Sequence, residues 1–249
     1  MDDQDDLVEP LHVLCVLGTG MDFDVVEAAV RAFGGPFFSL DRESSEHEHD
    51  PRMPDAFEAC LAQLTFTDDD WTAVDEHDSV AYVLAKGGQE HASFISERML
   101  AVAAELFERC GATAIKSESS GLAHGRETWL ALAEDAAEPD VLRQAWVKRP
   151  IYSGEVLHTC GMHLLGVPDV EVEAEGLLDE NRLGEWVELI DGLAGYLLTE
   201  PRAAEIRDGE GFRLTEDSPR WLLRQQSCDR YDDEDIFFNP YGYWRLTPA

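Results

Sequence analysis

The sequence predicts an α+β fold: two β-α-β units sharing mixed sheets with packed helices, an order that a duplicated ferredoxin-like pair of lobes would also produce. Two observations carry this reading. The order strand, glycine-containing turn, amphipathic helix, glycine, strand occurs at 11–40 and again at 79–116, without residue-level identity between the two. The remainder reads as two helices, an extended segment, a long helix and closing strands.

Leu11 to Leu17 is a continuous apolar run of strand length, closed by Gly18-Thr19-Gly20. Phe23, Val26, Val30 and Phe33 then share one helical face, and Gly34-Gly35-Pro36 stops that helix. Phe37 to Leu40 makes the second strand. Residues 41–56 are polar and read as a loop, with a short helix at 55–64 through Phe57, Leu61 and Leu64. Ser79 to Ala85 is strand-like and ends at Lys86-Gly87-Gly88. Ile95, Met99, Val102, Leu106 and Cys110 predict a helix over 91–110, followed by a strand from Ala112 to Lys116. Helices follow at 126–137 and 139–147, the second opened by Pro139. Residues 151–173 read as extended, and Asp179 caps a helix over 180–198. Asp208-Gly209 predicts a hairpin turn before Phe212 to Leu214, with final strands at Trp221 to Arg224 and Tyr243 to Leu246. Residues 1–10 form an acidic tail. Residues 11–249 are expected as a single domain, with 11–78 and 79–249 as its lobes if it divides.

Composition excludes several classes. With 249 residues, 44% of them hydrophobic, the chain holds enough apolar surface for a core and is not a disordered protein. No apolar run approaches the ~18 residues of a membrane span. The acidic start, Met-Asp-Asp-Gln-Asp-Asp, lacks the basic region of a secretory signal, so a cytoplasmic location is expected. Five cysteines, odd in number and widely spaced, make neither a disulfide framework nor a zinc ribbon, which suits a reducing compartment.

Charge is the strongest signal. Fifty-two acids against 19 bases give −33, and residues 1–78 carry 21 acids and three arginines, a net −18. Such a field repels nucleic acid and anionic membrane surfaces and attracts a basic protein. Solubility or adaptation to high salt is the competing explanation, supported by three lysines beside 16 arginines. Within the first third, Trp71 sits between Asp68-Asp69-Asp70 and Asp75-Glu76-His77-Asp78. An aromatic ring among acids suits an Arg/Lys-rich partner, so Asp68, Asp69, Asp70, Trp71, Asp75, Glu76 and Asp78 are the candidate contact set. The plainer alternative is Trp71 tucked beneath an acidic loop.

Signals for chemistry are sparse. Gly18-Thr19-Gly20 and Lys86-Gly87-Gly88 follow strands and precede helices, but neither is a phosphate-loop motif, and Asp22 and Asp24 oppose an anion there. They read as tight turns. His158-Thr159-Cys160-Gly161-Met162-His163 has the most metal-like spacing. His158 and Cys160 share a strand face, and a bend at Gly161 could bring His163 round, although no second ligand pair completes a standard zinc site. Cys160 with a neighbouring histidine is also the one candidate thiol nucleophile. Glu171 and Glu173 share a strand face and read as a half-exposed edge. Glu46-His47-Glu48-His49-Asp50 reads as a solvated loop whose histidines would make its charge pH-sensitive. No catalytic or cofactor-binding residue is assigned, and no cofactor is expected.

From Thr159 onward the chain resembles a bacterial family catalogued as domain of unknown function 4261. The resemblance rests on Thr159-Cys160-Gly161-Met162, Gly166-Val167-Pro168-Asp169-Val170-Glu171-Val172, the long helix 180–198 and the Asp208-Gly209 turn, with looser similarity over 79–116. That family has no established activity, so no catalytic residue is implied. Its members occur beside secreted-effector and toxin genes, which implies an immunity or accessory role. The functional expectation is a non-enzymatic acidic protein that binds a basic toxin or effector. A metal- or thiol-dependent enzyme centred on His158, Cys160 and His163 is the alternative.

Overall fold

The computed structural model describes residues 8–60, 65–153, 156–173 and 180–249. It shows an α+β protein built on two sheets. Residues 1–7 of the acidic tail, the end of the expected helix at 61–64 and the expected Asp179 cap lie outside the described residues.

The first sheet comes from β1 (Leu11–Gly18), β2 (Phe38–Glu46), β3 (Ser79–Lys86), β4 (Ala112–Ser117) and the two-residue β5 (Leu122–Ala123), in the order β2-β3-β1-β4-β5. α1 (Phe23–Gly34) links β1 to β2, and α4 (Ala92–Arg109) links β3 to β4; α2 (Met53–Glu58) and α3 (Asp68–Asp75) lie between β2 and β3. β3 is antiparallel to both β1 and β2, and β1 is antiparallel to both β3 and β4. The parallel strands of each β-α-β unit are therefore separated by a strand of the other. The two units interlock into one sheet with a single ferredoxin-like, split β-α-β connectivity, so they do not stand as two lobes of that kind.

Both faces of this sheet are covered, which explains the unbroken apolar run of β1. Leu14 and Val16 face α1 and α4 in the main core, whereas Cys15 and Leu17 face a smaller core with Met53, Phe57, Cys60 and Val74 of the 47–78 insertion. β3 divides in the same way, with Ala81, Val83 and Ala85 on one side and Val80 and Tyr82 on the other.

The second sheet holds β6 (Lys148–Ser153), β7 (Val156–Cys160), β8 (Asp169–Glu173), β9 (Gly211–Phe212), β10 (Trp221–Gln226) and β11 (Tyr243–Pro248), in the order β6-β7-β8-β11-β10-β9. Only the β8–β11 pair is parallel. α7 (Glu180–Thr199) buries Trp186, Leu189, Ile190 and Leu193 in the cluster that also holds Val170, Val172, Trp244 and Leu246. α5 (Arg126–Glu134) and α6 (Pro139–Trp146) bridge the sheets. The joint is fastened by polar bonds: Trp146 Nε1 donates to the Ser96 carbonyl (3.2 Å) and Ser96 Oγ to the Leu164 carbonyl (2.7 Å). One contiguous set of buried apolar side chains runs from α1 through α4 to α7.

Three expectations change. The 41–56 loop is partly strand, since β2 extends to Glu46 through a bulge after Asp41. Asp208-Gly209 makes a turn, with Glu210 N donating to the Arg207 carbonyl (3.1 Å), but a 3-10 turn at Pro201–Glu205 precedes it, so it closes no hairpin. β8 is an interior strand between β7 and β11, and Glu171 is buried instead of lying on a half-exposed edge.

Candidate functional site

The acidic insertion owes its shape to residues that look, in sequence, like free surface. α3 begins with a capping box: Thr67 Oγ1 accepts from Asp70 N, and Asp70 Oδ2 accepts from Thr67 N at 2.8 Å. The other oxygen, Asp70 Oδ1, accepts from Arg126 N at 2.9 Å, where α5 starts. One buried carboxylate thus serves two helix N-termini, each carrying backbone N–H groups without an internal acceptor. His77 holds the far end. Its Nε2 accepts from Asp50 N (2.9 Å), which leaves Nδ1–H to donate to the Val74 carbonyl (2.6 Å). His49 lies against the His77 ring, and His47 stacks on Phe23 at 3.9 Å between centroids. Both histidines nevertheless remain exposed, as the reading of a solvated loop expects. Asp50 is chelated by Arg52, whose guanidinium holds that carboxyl at about 2.

This framework sorts the candidate contact residues. Asp68, Asp69, Asp75 and Glu76 are exposed. Asp68 and Asp75, and Asp69 and Glu76, are seven residues apart, two helical turns, so the four form one stripe along the solvent face of α3. None of the four has an ion-pair partner among the described residues. Asp70 is a structural cap, not a contact. Asp78 is exposed, but its Oδ1 accepts from Gly20 N (2.8 Å) and from Ser79 Oγ (2.9 Å), bonds that lower its pKa and pin the turn after β1. Trp71 is half-buried, its ring 5.1 Å from that of Phe66 in the smaller core, so it supports the stripe from beneath.

The insertion is strongly unbalanced in charge. Residues 47–78 hold ten acids against Arg52 alone, and Arg52 is taken by Asp50. Asp68 and Asp69 sit at the N-terminus of α3, where the helix dipole favours them. Asp75 and Glu76 sit at its C-terminus, where each is opposed by ~0.3–1 kcal/mol.

The His158–His163 segment is not a convergent site. His158 and Cys160 point to the outer face of the second sheet, while His163 lies in a 3-10 turn (Met162–Leu165) packed on α4 near His12. No group of three His, Cys, Asp or Glu able to hold a metal ion occurs among the described residues. Burial raises the Cys160 thiol pKa, with Asp169 adding to the effect, so the thiolate that nucleophilic or ligand chemistry needs is disfavoured.

The same face carries a cluster that the sequence does not announce. Register places His158 opposite Glu171 and Glu171 opposite Arg245, and the 227–242 segment folds back over them. Glu171 receives Arg230 (2.8 Å) on one oxygen and Arg245 on the other. The Arg230 guanidinium lies 4.8 Å from the centre of the Tyr243 ring, whose hydroxyl meets Cys228 Sγ at 3.1 Å. Asp169 accepts from Thr159 Oγ1, Met162 N and Asn239 Nδ2. Burial pushes its pKa to about 6 against those three bonds. His158 is held neutral, its pKa lowered to about 4 by burial and then by Arg230, with Glu171 and the Ile151 backbone opposing; neither ring nitrogen completes a hydrogen bond. The cluster clasps the 227–242 segment to the sheet. Its one sequence signal is the Asp-Val-Glu-Val-Glu alternation, which does not show what covers the acidic face.

Comparison of the chain with protein-family models, with curated proteins and with solved structures finds no match. No helix among the described residues is long and apolar enough to cross a membrane.

Proposed function

We propose that this protein is a non-enzymatic binding protein that presents the acidic stripe of α3 to a basic protein surface. The observation that carries this is the set of four exposed carboxylates at Asp68, Asp69, Asp75 and Glu76, without an ion-pair partner among the described residues and two of them placed against the dipole of their own helix. A charge kept where it costs stability is accounted for by a task outside the fold. The rigid setting adds to this. Asp70 and His77 fix both ends of α3, so binding would not have to order the helix that carries the stripe. The partner class is a basic toxin or effector domain, and the role is that of a cytoplasmic immunity or accessory protein. This part rests on the resemblance to domain of unknown function 4261.

The experiment is affinity capture from the source organism at low and high salt, followed by measurement with the purified partner. A basic protein is expected whose association slows as salt rises. Replacing Asp68, Asp69, Asp75 and Glu76 with Asn or Gln is expected to weaken it about tenfold or more. Unchanged affinity in that variant overturns the assignment of this surface.

A further inference from the structure

We propose that the cleft between α6 and β6 binds a small carboxylic acid with an apolar body. The cleft encloses about 620 Å³, within the ~300–1,000 Å³ of ligand sites. Leu122, Val141 and Val147 give it apolar walls, Arg143, Arg149 and Gln144 supply donors, and Asp140 contributes a carboxylate paired with Arg143. The lining sets Arg143 and Arg149 beside one carboxylate, Asp140, in a chain whose net charge is −33.

The fold itself indicates what the two arginines take. Asp191 of α7 spans them with one carboxylate: Oδ1 is 3.4 Å from Arg143 Nη1 and Oδ2 is 3.0 Å from Arg149 Nη2. Arg143 gives Asp191 one hydrogen bond and Arg149 gives it one ion-pair contact, so neither makes the two-bond fork that carboxylates favour. Arg143 spends its other contacts on Asp140 at 3.4 Å. Arg149, half exposed, has five donors and only this one partner among the described residues. A carboxylate entering the cleft takes Arg149 in a fork and displaces Asp191 from it, with its alkyl or aryl body against Leu122, Val141 and Val147. Asp191 is an internal stand-in for the ligand. This site is independent of the α3 stripe.

The test is calorimetric titration with hexanoate and with neutral hexanamide. Hexanoate is expected to bind at least tenfold more tightly than the amide. Arg149→Ala, at an exposed position, is expected to remove hexanoate binding while leaving the melting temperature in place. Asp191→Asn removes the internal competitor and is expected to tighten hexanoate severalfold. Equal affinity for hexanoate and hexanamide, an Arg149→Ala variant that binds as before, or no binding by either the parent chain or Asp191→Asn overturns the proposal.

Discussion

Asp70 and Asp69 are adjacent, chemically identical and opposite in role. Asp69 faces solvent, whereas Asp70 joins the starts of α3 and α5. Removing a cap costs ~1 kcal/mol, and a buried N–H left without its acceptor adds ~1–3 kcal/mol. Asp70→Ala is therefore expected to lower the unfolding free energy by about 2–3 kcal/mol in urea titration, and Asp69→Ala by less than ~0.5 kcal/mol. Equal effects would contradict the division of the acidic run into cap and contact. Glu171 makes a parallel case on the second sheet. Glu171→Gln leaves Arg230 and Arg245 facing each other without the charge between them. Breaking a buried ion pair costs ~3–5 kcal/mol; the two guanidiniums retain 20% and 28% exposure, which puts this loss near about 3 kcal/mol. The same denaturation experiment reads it.

Legibility differed sharply between elements, and the reason is physical. β1, β3, α1 and α4 were readable because their apolar spacing answers to local geometry alone, and all four emerge close to their expected bounds. The interlocking of the repeats was not readable, because strand order depends on which edges meet and leaves no local trace. α3 escaped notice because Trp71, Ala73 and Val74 are its only apolar residues; Thr67 and Asp70 were its signal, as a capping box. Within the contact set, the charge of the stripe was legible and the burial of Asp70 was not, since one acid in a run of three looks like the others. β8 was misplaced at an edge because alternation of Val with Glu describes one covered face and says nothing of a segment 55 or more residues later folding over the second. The turn between β7 and the 162–165 helix is a further element-scale constraint. Gly161 has φ +114°, and a Cβ there would run into the Trp146 carbonyl. Gly161→Ala is expected to cost more than ~2 kcal/mol, against ~1 kcal/mol or less for a strain-free Gly→Ala. A melting temperature within a degree of the parent would contradict it.

The molecule as a whole carries an acid sensitivity that its histidines set. His12, His124 and His158 have pKa values lowered to about 4, and His163 to about 3, in each case mainly by burial. The unfolded chain binds a proton at each near 6.5 and the folded chain does not. Stability is therefore full above that pH and falls as pH drops from about 6.5 toward 4, by up to ~1.4 kcal/mol per unit for each histidine. Asp169 works the other way. Its raised value, about 6, means that the folded chain binds the proton first, so acidification between about 6 and 3.8 returns some stability. Four groups oppose one, and the urea midpoint is expected to fall steadily from pH 7 to pH 5. A midpoint that holds or rises over that interval would contradict the burial of these rings.

Net charge poses the other question at this scale, because −33 can serve solvation everywhere or recognition in one place. The two are separated by comparing variants of equal charge. One neutralises Asp68, Asp69, Asp75 and Glu76; the other neutralises Glu205, Glu216, Asp217 and Asp232, four exposed acids elsewhere in the chain. Both raise the net charge by four. The most direct measurement is the Kd of each variant for the basic partner recovered at low salt. A loss of about tenfold or more confined to the α3 variant is the predicted result. Equal losses in both, or none in either, would mean that the acids act only as a diffuse field and that the stripe on α3 is not a recognition surface.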